Sequence, residues 1–570
     1  MSDLLVTIAL VFIVAGPFLL VANRFDLPSV PLLIVAGVLA GFVLEEALVL
    51  ELARYGIALL VFAFGIRIDL AGARTVLGDA EWAALGQVLV VGTLGAGLGL
   101  AVGLSPSDAL FLVVAVAFSS TMVGTALMEV ERRQGLVRAR LAETIHLVQD
   151  LLAIVILLVI GAEALVADAI ATQLGYGVVL LVAALLINRY LFDVLGRFAG
   201  GSDELLIVGT VSLLVVFVAG AELAGVSIVV GAFAAGLAVR HDPISYPGLF
   251  DGIVSIRDFF LAIFFVAIGA LVVVPFVELG VGPSLEKLAL VAVIVLLTVV
   301  IKPIVTTVIL LYRGYEARTS TITGLSIDQV SEFALVIAIE ALILQQLTPA
   351  VFDAIILAAA ITMISSDLTQ RYDERIYRAV SSRTLLRSTH AKIDGLSEVP
   401  EAPSDHVVIV GFGRKGQLLA ETCTELGQPF VVIENDPARL ESVADACDAY
   451  VFGDVMESYT REKAGIDDAR IVISTITSAP VSERLLSLDL GADLVLQTES
   501  ARRALSYLER GALYVSVANV LAGEELVAQL RDLFAGEVDP DELRNERIAA
   551  LEEYAATIRA PKERHAVRAD

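Results

Sequence analysis

Two ionisable residues, Asp150 and Lys302, lie inside apolar segments long enough to cross a lipid bilayer. Asp150 is about nine residues into its segment, or ~13 Å from the start, and Lys302 lies at a similar depth in another. A charge at that depth costs several kcal/mol, so it normally faces a bundle interior, a partner or water. Two interpretations follow: a structural ion pair that holds two helices together, or a carboxylate that exchanges a proton for a cation while the lysine competes for it.

The use of lysine at this depth favours the second interpretation. Only six of the 39 basic residues are lysine, and the rest are arginine. An arginine guanidinium stays protonated in proteins, whereas a desolvated lysine loses its proton readily. Lys302 is therefore suited to competing with protons and cations for one carboxylate.

Two other apolar segments carry small and polar residues near their centres, in the runs FSSTMVG (118–124) and GLSIDQVSEF (324–333). Such runs predict broken helices whose freed carbonyls and positive half-helix ends surround an ion site. Ordinary close packing of small residues is the alternative for either run alone. The polar candidates are Ser119, Ser120 and Thr121 in the first run and Asp328 and Glu332 in the second.

The composition indicates what positions these residues. Of the 570 residues, 57% are hydrophobic and only 18% are charged, and the mean hydropathy is +0.83. These values predict a polytopic all-α membrane domain. Thirteen spans are predicted, at about 3–22, 28–45, 52–67, 82–104, 108–128, 142–162, 173–192, 204–220, 223–240, 256–275, 286–312, 319–343 and 350–366. The interrupted spans are the fifth and the twelfth, and this odd offset puts them in opposite orientations, as in inverted repeats.

Charges at the ends of the spans predict how the chain crosses the bilayer. Basic residues follow the odd-numbered spans and acidic residues follow most even-numbered ones. Examples are Arg24, Arg74, Arg132, Arg133, Arg240 and Arg313 on one side and Glu45, Glu163 and Glu278 on the other. The pattern predicts a multi-pass protein of the cell (plasma) membrane, with the N-terminus outside and the C-terminal region cytoplasmic.

The chain changes character after the last span. Residues 1–366 form the predicted transmembrane domain, and residues 367–404, which are polar and contain Pro400 and Pro403, read as a linker. Residues 405–520 alternate short β-branched runs with helical patterns, which predicts a parallel, Rossmann-like α/β domain. Five strands are predicted, at 406–410, 430–433, 450–452, 471–474 and 494–497. Residues 521–570 are acidic and read as a helical or partly disordered tail.

A glycine-rich turn follows the first predicted strand of that domain. Gly411, Gly413 and Gly416 form a G-x-G-x-x-G pattern that closes a strand and opens a helix, and Glu434 ends the next strand 23 residues beyond Gly411. The glycines allow the backbone to approach a phosphate at the helix N-terminus, and Glu434 accepts from a ribose hydroxyl. Because an acid repels a 2′-phosphate, NAD(H) or an adenine mononucleotide is favoured over NADP(H). Neighbouring candidates are Phe412, Arg414 and Asn435.

Several of these segments together resemble one transporter family. The runs HLVQDLLAI, FSSTMVG, GVSIVVGAFAAGLAV and FFLAIFFVAIGAL, with Lys302, are similar in order to the monovalent cation:proton antiporter-2 family, Kef type. The resemblance implies alternating access, with Asp150 binding either a cation or a proton and Lys302 as its salt-bridge partner when the cation is absent. The pair Gln149-Asp150 offers one titrating carboxylate and favours electroneutral K⁺/H⁺ or Na⁺/H⁺ exchange.

The chain departs from that family in the second polar run. Where the family usually reads Gln-Gly-Gly-Glu-Phe, the sequence at 329–333 is QVSEF, and Asp328 adds an acid before it. Glycine is the most flexible residue, so its replacement at two positions stiffens the interruption.

The cytoplasmic part resembles the nucleotide-binding regulator of potassium conductance, of the Trk-N type. The run 451–474, with Gly453 and Asp454 as its glycine–acid step, carries this resemblance. The resemblance implies an adenine-nucleotide sensor that regulates the transporter, and a homodimer. A hydride-transferring enzyme is the contrasting reading, but no substrate domain or proton-donor constellation follows in the sequence.

Further function classes are weighed by charge and motif. The formal charge of −26 excludes nucleic acid as a partner on electrostatic grounds. A nucleotide-gated cation channel is the alternative to an antiporter, but the sequence has no TVGYG-like filter.

Glu143 and His146 precede Asp150 on one helical face. They are interpreted either as proton relays or as interfacial residues in contact with water, and the second reading is favoured slightly.

Overall fold

The structure is a computed structural model. It describes residues 3–25, 27–67, 79–128, 136–160, 167–198, 202–240, 247–381, 391–399, 403–436, 439–536, 538–541, 543–545, 547–549 and 552. The chain divides into two compact units, a membrane unit (Met1–Arg132 with Arg138–Ser388) and a C-terminal unit (Arg133–Val137 with Thr389–Asp570). Arg74, Arg132, Arg133 and Glu163, which the predicted orientation uses, lie outside the described residues.

The membrane unit is helical throughout its described parts. Ten of its described helical segments are long and apolar enough to cross a membrane, so the chain is a multi-pass membrane protein. The count of thirteen spans stays a prediction. The helices are α1 (Asp3–Phe25), α2 (Ser29–Ala40), α3 (Glu46–Arg67), α4 (Asp79–Ala101), α5 (Pro106–Ala117), α6 (Thr121–Leu127), α7 (Val137–Ile160), α8 (Ala167–Leu186), α9 (Phe192–Phe198), α10 (Asp203–Leu223), α11 (Ile228–Ala238), α12 (Pro247–Ala270), α13 (Val281–Leu296), α14 (Lys302–Tyr312), α15 (Ala317–Leu325), α16 (Glu332–Ile343), α17 (Pro349–Arg371) and α18 (Asp373–Ser381). Single π-helical turns, Ile187–Leu191 and Leu297–Ile301, precede α9 and α14.

Glycines bring four of these helices into backbone contact. A Cβ atom at Gly37 of α2 would lie 2.8 Å from Cα of Gly269 in α12, and one at Gly65 of α3 would lie 2.9 Å from Cα of Gly236 in α11. Small residues at helix crossings allow this close approach in a membrane. In the predicted numbering of the spans, these pairs are the second with the tenth and the third with the ninth, and the predicted inverted repeat would exchange one pair for the other.

Both polar runs interrupt their helices as predicted. Residues 118–120 separate α5 from α6, and residues 326–331 separate α15 from α16. A serine caps the second half-helix in each case: the Ser120 hydroxyl accepts from the Val123 N–H (3.0 Å), and the Ser331 hydroxyl accepts from the Phe333 N–H (3.0 Å). Serine is favoured there because its side chain satisfies a backbone donor that the helix start leaves unpaired.

A second buried lysine lies elsewhere in the membrane unit. The Lys287 ammonium is 2.5 Å from a carboxylate oxygen of Asp353 and donates to the Val273 carbonyl (2.9 Å). Only 4% of each charged side chain is exposed, so the pair is a buried ion pair that ties α13 to α17.

The C-terminal unit contains a parallel six-stranded sheet with the order β3-β2-β1-β4-β5-β6, a Rossmann-like arrangement. All five predicted strands are present, and a sixth follows them. The strands are β1 (Val407–Val410), β2 (Phe430–Glu434), β3 (Tyr450–Phe452), β4 (Ile471–Ser474), β5 (Asp493–Thr498) and β6 (Tyr514–Val517). The helices are α19 (Ala391–Leu396), α20 (Arg414–Glu425), α21 (Leu440–Ala446), α22 (Ser458–Lys463), α23 (Ala479–Leu486), α24 (Ala501–Glu509) and α25 (Ala518–Ala535).

The C-terminal unit contains both cysteines of the chain. Cys423 and Cys447 are buried free thiols, and burial raises the pKa of Cys447 to about 12. A thiol that stays protonated at neutral pH is a weak nucleophile, which agrees with a structural role.

The domain boundaries predicted at residues 366, 404 and 520 stay predictions. In the C-terminal unit, Glu398 pairs with Tyr450 at the β3 edge.

Candidate functional site

The two interruptions meet each other in the interior of the membrane unit. The Ser119 hydroxyl donates to the Ile327 carbonyl (2.9 Å), and the Gln329 amide donates to the Ser120 carbonyl (3.1 Å). The Ser120 hydroxyl also donates to the Glu332 carboxylate, which accepts from the Met122 N–H as well (3.1 Å). Non-helical backbone is tolerated at membrane depth where it is buried in protein or lines a cavity, and here each interruption supplies partners for the other.

Asp150 lies beside the first interruption. It is on α7, and its carboxylate accepts a hydrogen bond from the Thr121 hydroxyl (2.8 Å), the first residue of α6. Only 8% of Asp150 is exposed. A nearly buried carboxylate next to a hydroxyl supplies hard oxygen ligands, the kind that an alkali cation or a proton binds.

Gln149 serves the backbone of the first interruption. Its carbonyl oxygen accepts from the Ser119 N–H (2.8 Å), and its amide donates to Gln87 (2.6 Å). The Gln87 amide in turn donates to the Ala117 carbonyl (2.6 Å). These bonds satisfy the donor and the acceptor that the break in the helix releases, so they hold the interruption open.

Lys302 connects the two interruptions. It is fully buried at the start of α14, and its ammonium donates to the carbonyls of Phe118 (3.0 Å) and Gln329 (2.8 Å), one from each interruption. Among the described residues, these bonds replace the expected salt bridge to Asp150. The physical reason is that broken helices leave carbonyls without donors, and an ammonium has three donors and no acceptor.

Helix α17 supplies hydrogen-bond partners to the second interruption, as Gln149 of α7 does to the first. The Thr362 hydroxyl of α17 accepts from the Val330 N–H (3.2 Å), and the Ser366 hydroxyl donates to the side-chain oxygen of Gln329 (3.2 Å). The sequence analysis did not identify Gln87, Thr362 or Ser366. The available signal was a polar residue on an otherwise apolar helix next to each broken span.

Asp328 and Glu332 are fully buried at the second interruption. Within the described part of the chain, neither carboxylate oxygen of Asp328 has a hydrogen-bond partner. Lys302, Ser366 and Thr369 are the nearby polar groups, and the Thr369 hydroxyl donates to the Ser365 carbonyl instead. The structure therefore brings Asp328 to the same interior cluster as Lys302, and Glu332 to the first interruption through Ser120.

The expectation that His146 contacts interfacial water is wrong. His146 is fully buried, whereas Glu143 is half-buried. The imidazole packs against Gly124 of α6, where a Cβ would lie 3.1 Å from the ring Nε2. The prediction failed because the distance along a helix does not give depth inside a bundle.

In the C-terminal unit, the glycine pattern forms the expected turn between β1 and α20. Gly411 has φ of +92°, a conformation that side chains disfavour. A Cβ at Gly416 would lie 3.0 Å from the Gly411 carbonyl carbon, so a larger residue would push the helix away from the turn. Gly413 caps α20, and Arg414 is the first residue of that helix.

Glu434 joins this turn to the end of β2. Its carboxylate accepts from the N–H groups of Phe412 (2.7 Å), Asn435 (2.8 Å) and Asp436 (2.8 Å). Arg439, which the sequence analysis did not identify, lies with its guanidinium 3.6 Å from the Glu434 carboxylate. Glu434 is thus held in place by backbone donors, and Arg439 places a positive charge beside the turn.

Gly453 and Asp454 support the same strand end. The Gly453 N–H donates to the Glu434 carbonyl (2.9 Å), and the Asp454 carboxylate accepts from the Met456 N–H (2.9 Å). A Cβ at Gly453 would lie 3.1 Å from a methyl carbon of Thr460. These contacts hold the turn after β3 against Glu434.

Comparison with known proteins identifies the family. The family model described as "Sodium/hydrogen exchanger, transmembrane" matches residues 7–369, more than half of the chain. The chain belongs to the sodium/hydrogen exchanger family. A second model, "TrkA-N domain", matches residues 407–493 of this exchanger. The resemblance to cation:proton antiporters of the Kef type, with a Trk-N type domain, is therefore confirmed.

Individual relatives span most of the exchanger. YbaL of Escherichia coli strain K12 is 25% identical over 478 residues, which cover 80% of this chain and 84% of YbaL. The glutathione-regulated potassium-efflux system protein KefC of Cronobacter sakazakii is 26% identical, covering 82% of this chain and 74% of that one. Among solved structures, the sodium proton antiporter MjNhaP1 from Methanocaldococcus jannaschii aligns at 17% identity with a TM-score of 0.46, covering 65% of this chain and 99% of that one.

The exchanger is a secondary transporter and not an enzyme. It is a cation/proton antiporter of the Kef type, with its ion-handling residues in the membrane unit and a TrkA-N domain in the C-terminal unit. The antiporter reading replaces the channel alternative.

Proposed function

We propose that this antiporter exchanges one K⁺ or Na⁺ for one H⁺ and that both bind in turn to the Asp150 carboxylate. The observation that carries the proposal is a nearly buried carboxylate, bonded to the Thr121 hydroxyl, beside the point where two interrupted helices meet. One exchanging carboxylate gives electroneutral transport, because a cation and a proton carry the same charge. Ser119, Ser120, Gln149, Asp328 and Glu332 surround this point and shape it.

In this proposal Lys302 keeps the site in order. Its bonds to the Phe118 and Gln329 carbonyls hold the two interruptions together, and the positive charge of its protonated form disfavours a second cation. The ammonium competes for Asp150 when the interruptions separate during the transport cycle.

The C-terminal unit is proposed to be a nucleotide sensor for NAD(H) or an adenine mononucleotide. A glycine turn at a helix N-terminus suits a phosphate, and Glu434 at the end of β2 suits a ribose hydroxyl. We further propose a homodimer in the plasma membrane, with the N-terminus outside and this unit in the cytoplasm.

The central experiment follows internal pH in proteoliposomes after K⁺ or Na⁺ is added outside. Cation-driven proton efflux in the wild type is expected to disappear in Asp150→Asn, which keeps the size of the side chain but removes its charge. Thr93→Val is the control, because this exposed hydroxyl on α4 bonds to the Leu89 carbonyl of its own helix. Exchange that persists in Asp150→Asn would exclude this carboxylate as the exchanging group.

The sensor is tested by calorimetric titration of the full chain with NADH, NAD⁺ and AMP. Glu434→Gln keeps an acceptor oxygen but loses the charge and is expected to weaken binding about tenfold, as expected for a charge-assisted hydrogen bond. Glu441→Gln, a carboxylate on the adjacent α21, serves as the control. Equal affinity in Glu434→Gln and the wild type would remove the ribose contact from the proposal.

A further inference from the structure

One buried ionisable group beside the ion site has no task in the exchange proposed above. The imidazole of His146 is fully buried, and neither ring nitrogen has a hydrogen-bond partner among the described residues. Nearly all buried polar side chains in proteins are paired, since an unpaired one destabilises the folded state. A histidine that served packing alone would be unfavourable, because an apolar side chain of the same volume would fill the space without leaving unpaired polar atoms.

The position of the ring relates it to the exchanging carboxylate. His146 precedes Asp150 by four residues on α7, so the two side chains lie on one face of the helix. The ring also lies against Gly124 of α6, and a Cβ at Gly124 would lie 3.1 Å both from its Nε2 and from the amide nitrogen of Gln329. The imidazole therefore lies where both interruptions and α7 come together.

The charged groups around the ring come from several elements. Lys302 of α14 is near enough to interact with it electrostatically. The elements that meet α6 beside it carry two buried acids, Asp328 in the second interruption and Glu332 in α16, and α7 itself carries Glu143 and Asp150 on either side of the ring along the chain. Of these groups, only Asp150 lies one helical turn further on the same face of α7.

We propose that His146 is a second proton-transfer residue of this exchanger, which passes protons to and from Asp150; the proposal rests on the exchange function above. In the loading step, one ring nitrogen takes a proton from a hydronium ion, which leaves as a water molecule. The other nitrogen releases its own proton, through a bridging water, to the Asp150 carboxylate as the cation leaves. One proton enters and one leaves the ring, so its charge is unchanged, and exchange of the ring tautomer restores the starting state.

The test compares variants in the proteoliposome exchange assay across pH. His146→Gln keeps polar atoms and similar volume, but its amide cannot take up one proton and pass on another near neutral pH, so we expect exchange about 10- to 100-fold slower, with an unchanged half-saturating cation concentration. We also expect the pH dependence to lose one titration step. Thr144→Val, two residues away on α7, is the control and should behave as the wild type, because the Thr144 hydroxyl bonds to the Arg140 carbonyl of its own helix.

Chemical rescue separates proton transfer from structure. Exchange by His146→Ala should rise at least several-fold with added imidazole, because the free base fits the space that the ring leaves. Slow exchange in both variants with an unaltered pH profile and no rescue would overturn the proposal and leave a packing role. Wild-type rates in His146→Gln would overturn it as well.

These outcomes are distinguishable from failure of the exchange proposal. If Asp150→Asn retains exchange, the carboxylate assignment fails whatever His146 does. If Asp150→Asn abolishes exchange while His146→Gln is unaffected, only the relay fails.

Discussion

The first interruption, residues 118–120, and the second, residues 326–331, solve the same backbone problem with different chemistry. Each begins its second half-helix with a capping serine, and each has a buried backbone N–H, outside the helical pairing, that bonds to a side chain of the following helix, Gln149 or Thr362. Each presents one carbonyl to Lys302, but the first leads into the Thr121 hydroxyl beside Asp150, whereas the second carries a buried acid of its own, Asp328. The two interruptions thus share a way of pairing their backbone and differ in the polar side chains that accompany it.

The largest expected difference between the two interruptions is in how far exchange falls when the acid near each one is neutralised. Asp150→Asn should lower exchange at least about 100-fold, because it removes the group to which both ions bind. Asp328→Asn should retain exchange within about tenfold, since it leaves Asp150 and Thr121 in place. The measurement is cation-driven proton efflux at several pH values. Equal losses in both variants would mean that the two interruptions share the exchange chemistry.

Removing Lys302, which bonds to both interruptions, should have the next largest effect, and this effect is on stability. Lys302→Ala leaves the Phe118 and Gln329 carbonyls without a donor, so we expect a loss of about 2–5 kcal/mol in the free energy of unfolding. Lys302→Gln retains an amide donor and should lose less. Thermal unfolding in detergent checks the order, and the pH profile of exchange should shift in both variants. An alanine variant as stable as the wild type would show that Lys302 does not hold the interruptions together.

The two capping serines allow a matched comparison. Ser331→Ala removes one cap, which typically costs about 1 kcal/mol. Ser120→Ala removes a cap and also the hydroxyl that bonds Glu332, so we expect about 2–3 kcal/mol. The same unfolding measurement applies. The comparison fails if Ser331→Ala is the more destabilised of the two.

The smallest effect is expected on α17. Thr362→Val removes the acceptor for the Val330 N–H and should cost about 1 kcal/mol. Ser365→Ala, three residues later on the same helix, should cost close to nothing, because its hydroxyl bonds to the Thr362 carbonyl within that helix. A difference below about 0.3 kcal/mol would show that Thr362 is dispensable to the second interruption.

Sequence reasoning succeeded where a residue type conflicts with its surroundings. Asp150, Lys302 and the two polar runs are unusual within apolar spans, and the glycine turn has a fixed spacing to Glu434, so all were predicted and the structure brings the members of each group together. Partners and depths were not predictable, because they depend on which helices cross. Lys302 bonds to carbonyls that any residue provides, and the burial of His146 depends on α6 and on Gln329. The strand β6 was missed because its run, YVSV, is short and lies beside a helix-rich tail.

The burial of the lysines has a practical consequence. The sequence of the membrane unit contains two lysines, Lys287 and Lys302, and both are buried. One is occupied by Asp353 and the other by the two interruptions. Apart from the chain terminus, an amine-reactive reagent therefore finds no surface lysine among the described residues of this unit. Modification of Lys302, detected by mass spectrometry, would report when the two interruptions separate during transport. The protein carries this probe without any engineered label.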